Sequence, residues 1–274
     1  TSEEMEGHAD SGRRRVPVVV ITGAPGVGKT SLLNRLIAEL PGAIPGAEPA
    51  VITHRFAREF GLDLSPVRED PSTPTLRGEM FDFGSGCVCC SPSGELVQHL
   101  LAIKREASSL GDEASRPWPP PTHVLIETTG LADPSFFVRL VTTHPDVCDS
   151  FQLTALVTIV GGDVADVAGR ADPASRRFCQ QMLAADIVAV AGSASAAQAA
   201  LRDVIPEIDT PPTVPVHELT WARLSGLSCA RSHAVCVDES LGVGMCDARP
   251  VALGGHDRSF ETCCVVEEGP LQAA

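Results

Sequence analysis

The stretch VPVVVITGAPGVGKT, residues 16–30, decides the fold of this 274-residue chain. It starts with an apolar run, Val16–Thr22, and ends in the spacing Gly-x-x-x-x-Gly-Lys-[Ser/Thr] over residues 23–30. Glycines let the backbone turn so that successive N–H groups, together with the positive end of the following helix, point into one hollow. The pattern therefore predicts a phosphate-binding loop between a buried strand and a helix.

The residue types of this loop suit a nucleoside polyphosphate. The ammonium of Lys29 would reach the β- and γ-phosphates, and the hydroxyl of Thr30 would hold Mg²⁺. Lys29 is one of only two lysines in the chain, the other being Lys104. We expect nucleotide contacts from the whole loop and the residue after it: Gly23, Ala24, Pro25, Gly26, Val27, Gly28, Lys29, Thr30 and Ser31. The alternative is a purely structural glycine-rich turn.

A second segment, VLIETTGLADP over residues 124–134, carries two further candidates. Glu127 ends a predicted buried strand and would face the place where Mg²⁺ and the γ-phosphate lie. Gly130 could let its backbone N–H approach the terminal phosphate. An acidic residue at a strand end is weak by itself, but a phosphate loop upstream favours a role for Glu127 in catalysis.

Three cysteines lie within four residues in the stretch GCVCC, residues 86–90. Thiolates of Cys87, Cys89 and Cys90 could converge on one soft or borderline cation such as Zn²⁺. Three ligands leave a fourth position open, which suits handing a metal on. On spacing alone, a redox pair of Cys87 and Cys90 or three small buried thiols remain as alternatives.

Strand-like and helix-like segments alternate along most of the chain, which is typical of an α/β protein with a mainly parallel sheet and helices on both faces. The predicted strands are Val16–Thr22, Ala50–Thr53, Val124–Glu127, Leu153–Val160 and Asp186–Val190, and the predicted helices are Lys29–Leu40, Leu96–Ile103 and Phe178–Ala185. Loops are expected at Ser65–Pro74 and Arg116–Pro121. We expect residues 1–15 to be disordered and residues 16–214 to form the nucleotide-binding domain.

Composition limits the classes of partner. The net charge of −14 argues against a nucleic-acid partner, and no apolar run approaches the roughly 20 residues that span a membrane. Three of the ten cysteines lie within four residues and no secretory leader is visible, so we expect thiols or metal ligands in a reducing, cytoplasmic compartment. An organellar address stays open at this point because the sequence starts at Thr1.

In this order, the three segments resemble the CobW-type family of P-loop GTPases, which act as metallochaperones and metalloprotein activators. The resemblance covers about residues 16–190 and implies that GTP hydrolysis drives transfer of Zn²⁺, or Co²⁺ in some members, to a client apo-metalloprotein. It implies metal binding at Cys87, Cys89 and Cys90. A loose match of the family's switch segment to Arg55–Asp63 adds Glu59 as a possible oxygen ligand, with a solvated loop charge as the alternative.

The chain departs from the family pattern in three places. Ala191-Gly192-Ser193-Ala194 replaces the Asn-Lys-x-Asp segment that reads guanine, so ATP use stays open beside GTP. Gly161-Gly162 follows a strand after which the family usually has Asp. Residues 215–274 match only a linker and a truncated start of the family's C-terminal domain. The runner-up hypothesis is therefore a non-hydrolysing regulatory module that binds metal or nucleotide, and either could be a monomer or a ligand-dependent dimer.

Overall fold

The computed structural model describes residues 15–56, 76–82, 95–108, 119–130, 132, 134–161, 178, 181–204 and 211–227. The strands in this part are β1 Val16–Gly23, β2 Pro49–Phe56, β3 Leu76–Asp82, β4 His123–Glu127, β5 Phe151–Val160, β6 Ile187–Val190 and β7 Thr213–Pro215. The helices are α1 Lys29–Ala43, α2 Glu95–Ser108, α3 Pro134–Thr143, α4 Pro145–Cys148, α5 Ala194–Val204 and α6 Trp221–Ser225.

All seven strands form one parallel sheet in the order β3-β2-β4-β1-β5-β6-β7. The chain builds β2, β3 and β4 on one side of β1 and then crosses to build β5, β6 and β7 on the other. In open parallel sheets, ligands bind beyond the carboxyl ends of the strands where the direction of winding reverses. The topology therefore points to the carboxyl end of β1, where the glycine-rich loop begins.

Both faces of the sheet are covered by helices, which confirms the predicted α/β class. Val18 and Val20 of β1 belong to a buried cluster with apolar residues of α2, α3 and α4. Val19 and Ile21 alternate with them and pack on the opposite face against α1 and α6. This period of two explains why β1 reads as a continuous apolar run, because both of its faces are buried.

The strands and helices predicted from the sequence are present, with shifted ends. α1 continues past Leu40 to Ala43 with Pro41 inside it, and β2 extends to Phe56. Within the predicted helix Phe178–Ala185, Phe178 and residues 181–184 are helical. The predicted loop at Ser65–Pro74 lies outside the described residues.

Residues that follow the predicted domain limit at 214 pack against α1. Arg35 in α1 donates through Nη2 to the backbone oxygens of Val216 and Leu219, at 2.6 and 2.8 Å. Trp221 donates through Nε1 to Leu36 O at 2.6 Å and is itself buried. The limit itself stays a prediction, since only residues 215–227 of the segment 215–274 are described. None of the helices in the described ranges is long and apolar enough to cross a bilayer.

Candidate functional site

The loop between β1 and α1 has the backbone conformation that its sequence predicts. Gly26 and Gly28 have φ values of 77° and 96°, in the left-handed region that side chains with a Cβ rarely adopt. Gly28 is the N-cap of α1, and its carbonyl accepts the first helical hydrogen bond, from Leu32 N at 3.0 Å. The loop thus delivers the chain into a helix whose free N–H groups face the carboxyl edge of the sheet, as anion binding requires.

Lys29 lies over this loop and is largely buried, with 9% of its surface exposed. Its Nζ donates to Gly23 O at 3.0 Å and to Ala24 O at 2.9 Å. The loop carbonyls hold the ammonium inside the curve of the backbone, where a bound polyphosphate would meet it. A cation at the start of a helix is unfavourable for the helix alone, so the position suits binding an anion better than stabilising α1.

Thr30 and Glu127 meet across the floor of the site. The Oγ1 of Thr30 donates to the Oε1 of Glu127 at 2.5 Å, although 97 positions separate the two residues. Glu127 ends β4 and is only 3% exposed. A hydroxyl and a carboxylate oxygen beside a phosphate loop are the hard ligands that Mg²⁺ prefers, so these residues fit the magnesium site predicted for them.

Two buried hydroxyls add to the oxygen-rich surroundings of Glu127. Thr53 pairs with Glu127 in the register of β2 and β4, so both side chains lie on the face that carries α1. Within the described part of the chain, neither Thr53 Oγ1 nor Thr129 Oγ1 has a hydrogen-bond partner. Buried polar groups of this kind are normally satisfied by water or a ligand. The sequence reasoning had not singled out either threonine.

Gly130 touches the phosphate loop directly. A Cβ placed on Gly130 would lie 2.5 Å from Pro25 N and 2.7 Å from Pro25 Cγ, which no real side chain tolerates. The glycine is needed here for close approach of two backbones. The contact brings the segment after β4 against the loop after β1, as expected for residues that share one bound phosphate group.

A layer of buried polar side chains lies beneath these two loops, and the sequence reasoning missed it. Thr128 donates through Oγ1 to Thr22 Oγ1 at 2.9 Å, and Thr22 is the register partner of Thr158 in β5. Thr158 donates through Oγ1 to the backbone oxygen of Gln181 at 2.7 Å. Gln181 then donates through Nε2 to the backbone oxygens of Gly130 and Ala132, both at 3.1 Å.

The segment that would face the nucleotide base follows β6 and has a different character. Ala191, Gly192 and Ser193 are exposed, and α5 begins at Ala194. The hydroxyl of Ser193 accepts from Ala196 N at 3.3 Å and lies 3.0 Å from Ser195 Oγ, so it caps α5. These four residues offer a bound base no carboxylate.

The remaining site predictions concern residues outside the described ranges. Cys87, Cys89 and Cys90 belong to this group, as does Glu59. The predicted zinc site therefore stays a prediction. In the described part, no group of three or more His, Cys, Asp or Glu side chains is placed to hold a metal ion.

A strand–loop–helix that cradles phosphate, joined to an acidic strand end, defines a P-loop nucleotide-binding domain. The family model "CobW/HypB/UreG, nucleotide-binding domain" matches residues 17–209, well over half of the chain. The chain belongs to the CobW/HypB/UreG family. The resemblance that the three sequence segments indicated is thereby confirmed.

Several curated proteins are similar to the chain at low identity. The zinc chaperone CobW of a Sinorhizobium species is 24% identical over 162 residues, which cover 59% of this chain and 41% of that protein. The zinc chaperone YjiA of Escherichia coli is 28% identical over 151 residues, 55% of this chain and 42% of the relative. The zinc-regulated GTPase metalloprotein activator 1 of Saccharomyces cerevisiae is 26% identical over 150 residues, 54% of this chain and 31% of the relative.

The match thus spans less than half the length of each of these three relatives. Among solved structures, the Zn(II)-bound YjiA GTPase from E. coli aligns with a TM-score of 0.45 and 20% identity. That alignment covers 76% of this chain and 59% of the other.

Proposed function

We propose that this protein is a Mg²⁺-dependent nucleoside triphosphatase that couples hydrolysis to the delivery of zinc to a client apo-metalloprotein. The observation that carries the proposal is the contact between Thr30 and Glu127, which joins the phosphate loop to the end of β4. That contact assembles the two oxygen ligands of a magnesium–triphosphate site on the chain's own framework. The relatives named as zinc chaperones support the metal half of the proposal.

Lys29 supplies the main positive charge to the transferred phosphoryl group. Its ammonium, held in the loop by the carbonyls of Gly23 and Ala24, neutralises charge that develops between the β- and γ-phosphates in the reaction. The backbone N–H groups of Ala24 and of residues 26–30 share this task, and the N–H of Gly130 meets the terminal phosphate. Preorganised donors of this kind act strongly because they need not reorient during the reaction.

Thr30 and Glu127 would hold Mg²⁺, which neutralises phosphate charge and orders the polyphosphate when bound. Thr30 offers its hydroxyl from the first turn of α1. Glu127 either ligates through its carboxylate or orients water at the same place, and burial keeps its side chain in one position. Thr53, the register partner of Glu127, provides a further hydroxyl to water in this region.

Zinc is the cargo in this scheme, held by Cys87, Cys89 and Cys90 with Glu59 as an additional oxygen ligand; Co²⁺ is a second candidate cation. β3 ends at Asp82, on the same edge of the sheet as the phosphate loop, and the cysteine motif follows in the sequence from residue 86. Three strand spacings, about 14 Å, separate the ends of β3 and β1. In this proposal, the segment that follows β3 and carries the cysteines responds to the bound nucleotide across this distance.

The nucleotide is GTP by family, with weak selectivity against ATP because the Ala191–Ala194 segment lacks a base-reading carboxylate. The client is another protein that receives zinc, and the site of action is the cytoplasm. A monomer that dimerises with nucleotide or metal would serve this cycle. Neither nucleic acid nor membrane takes part in it.

Steady-state phosphate release by the purified chain tests the proposal. GTP and ATP are each supplied with Mg²⁺, with and without one equivalent of Zn²⁺. Slow turnover that depends on Mg²⁺ and changes with Zn²⁺ is expected. Zero turnover together with intact zinc binding would refute hydrolysis and support a regulatory module that acts through its bound state.

A further inference from the structure

The polar layer beneath the phosphate loop has one member with an unusual role. Thr128, just after β4, donates through its hydroxyl to Thr22 of β1, and Thr158 of β5 donates to the backbone oxygen of Gln181. Each of the three threonines is at most 1% exposed. Gln181, also 1% exposed, lies just before β6 and closes the layer. Its side-chain carboxamide donates to the backbone oxygens of Gly130 and Ala132 after β4. The backbone oxygen of Gln181 itself accepts the hydrogen bond from Thr158.

The chemistry of these contacts fixes which end of the carboxamide faces the segment. Both partners are backbone carbonyl oxygens, Gly130 O and Ala132 O, each 3.1 Å from Gln181 Nε2. A carbonyl only accepts, and the amide nitrogen has two hydrogens, so one donor is available for each oxygen. Glutamine is one of the few side chains that can hold two backbone carbonyls at once without carrying a charge into the core.

The position of Gly130 makes these contacts relevant to the nucleotide. Its α-carbon lies against Pro25 in the phosphate loop, where no Cβ would fit. Its carbonyl is held from the other side by Gln181. The α-carbon and the carbonyl of Gly130 are thus held from two sides. This anchors the preceding peptide, which carries the N–H of Gly130, at its carboxyl-side end and limits the movement of that N–H relative to the loop.

We propose that Gln181 is a positioning residue that holds Gly130 and Ala132 in the arrangement that recognises the terminal phosphate. This inference rests on the proposed nucleotide function and goes beyond it, since Gln181 touches neither nucleotide nor metal. It acts through the carbonyls of Gly130 and Ala132. Loss of the amide therefore affects a triphosphate more than a diphosphate, because only the triphosphate reaches that segment.

Gln181→Met tests this role, since methionine keeps the length and approximate volume of glutamine but donates no hydrogen bond. Affinities for a non-hydrolysable GTP analogue and for GDP are measured by calorimetry with Mg²⁺. We expect about a tenfold loss of affinity for the triphosphate analogue, the scale of a lost hydrogen-bonded restraint, and less than about a twofold change for GDP. An unchanged ratio of the two affinities would overturn the inference.

Thr158→Val is the matched control. It removes the neighbouring hydrogen bond to Gln181 O and is equally buried, but it leaves the two segment carbonyls bound. If the two variants lower the melting temperature comparably, only Gln181→Met should change the affinity ratio. An equal change in the ratio for both variants would show a general packing effect and overturn the assigned role.

Two further measurements cover a variant that does not fold and a failure of the proposed function. Gln181→Asn keeps a shorter amide and should give an intermediate affinity ratio.

In the wild-type protein, amide exchange across residues 128–132 should be slower with the triphosphate analogue than with GDP; equal exchange refutes the role of Gln181. Wild-type protein that binds neither nucleotide overturns the proposed function and this inference together, whereas binding with an unaltered ratio in the variants overturns the inference alone.

Discussion

The two ends of the nucleotide site differ in how they are built. At the phosphate end, Lys29, Thr30, Glu127 and Gly130 are held by contacts that link β1, α1 and β4. At the base end, residues 191–193 after β6 are exposed. Ser193 carries the hydroxyl of this turn, and that hydroxyl caps α5. The first region is fixed for a charged ligand, while the second carries no group that distinguishes one base from another.

This difference separates affinity from selectivity. Phosphate and Mg²⁺ are bound by charge and by backbone amides, which any nucleoside triphosphate satisfies. Bases are told apart by one or two side chains that match their hydrogen-bonding edges. On the proposed function, we therefore expect a protein that holds triphosphates well and discriminates poorly among purines.

The largest effect is expected from Lys29→Ala, which removes the main cation of the phosphate end. Loss of one preorganised electrostatic donor lowers turnover by about 10²–10³-fold. Phosphate release and triphosphate affinity are measured together. Lys104→Ala is the control, because Lys104 lies on α2, away from the phosphate loop. Within the described residues, its Nζ donates to the backbone oxygen of Asp146. Equal loss in both variants would contradict the account.

A smaller loss is expected when the pair of Thr30 and Glu127 is broken. Glu127→Gln keeps the shape of the side chain but removes its charge, and Thr30→Val removes the hydroxyl. Each should weaken the dependence of nucleotide affinity on Mg²⁺ by about tenfold, the scale of a charge-assisted contact. Magnesium titrations at fixed nucleotide measure this, with Thr30→Ser as the control that retains the hydroxyl. Unchanged magnesium dependence in Glu127→Gln would remove Glu127 from the site.

Gly130→Ala tests the contact between the two loops. Its methyl group would overlap Pro25, and the strain should cost about 1–3 kcal/mol of folding free energy. The free energy of triphosphate binding should weaken by a similar amount, since the phosphate loop must shift. Gly42→Ala is the matched control, because a Cβ there meets nothing within 4 Å in the helix α1. Chemical denaturation and calorimetry compare the pair, and a neutral Gly130→Ala would refute the close approach.

The smallest effect is expected at the base end, where a double substitution should introduce a preference for GTP over ATP. In the chain as it stands, we expect GTP and ATP to bind within a few-fold of each other. The double substitution Gly192→Lys with Ala194→Asp supplies an ammonium in the exposed turn and one carboxylate at the start of α5, where the helix dipole favours an acid. Competition between GTP and ATP should then shift several-fold toward GTP. A strong GTP preference already present in the wild type would contradict the comparison.

The phosphate end could be predicted from the sequence because its residues lie in short segments with a fixed spacing. Lys29 and Thr30 follow from one eight-residue pattern, and Glu127 follows from a strand end. The role of Gln181 could not be predicted, because its partners lie 49 and 51 positions away and nothing local marks it. Contacts of this range depend on the packing of the sheet.

The fold shows the same division. The buried strands β1 and β5 read clearly as apolar runs, whereas β3, Leu76–Asp82, was not predicted. Among the described strands, β3 lies at the edge of the sheet and pairs with β2 alone, and its sequence, LRGEMFD, carries no continuous apolar run. α5 was also missed, since its buried face is built from alanines, among them Ala197 and Ala200, rather than from large apolar residues.

The coupling between nucleotide and zinc is the central claim of the proposed function. Its most direct test is the zinc affinity of the purified chain, measured by competition with a chromogenic chelator in the presence of a non-hydrolysable GTP analogue and then of GDP. The account predicts affinities that differ by about tenfold or more, a coupling of about 1.4 kcal/mol, and the loss of zinc binding in a variant with Cys87, Cys89 and Cys90 all changed to serine. Equal zinc affinity in the two nucleotide states would contradict it.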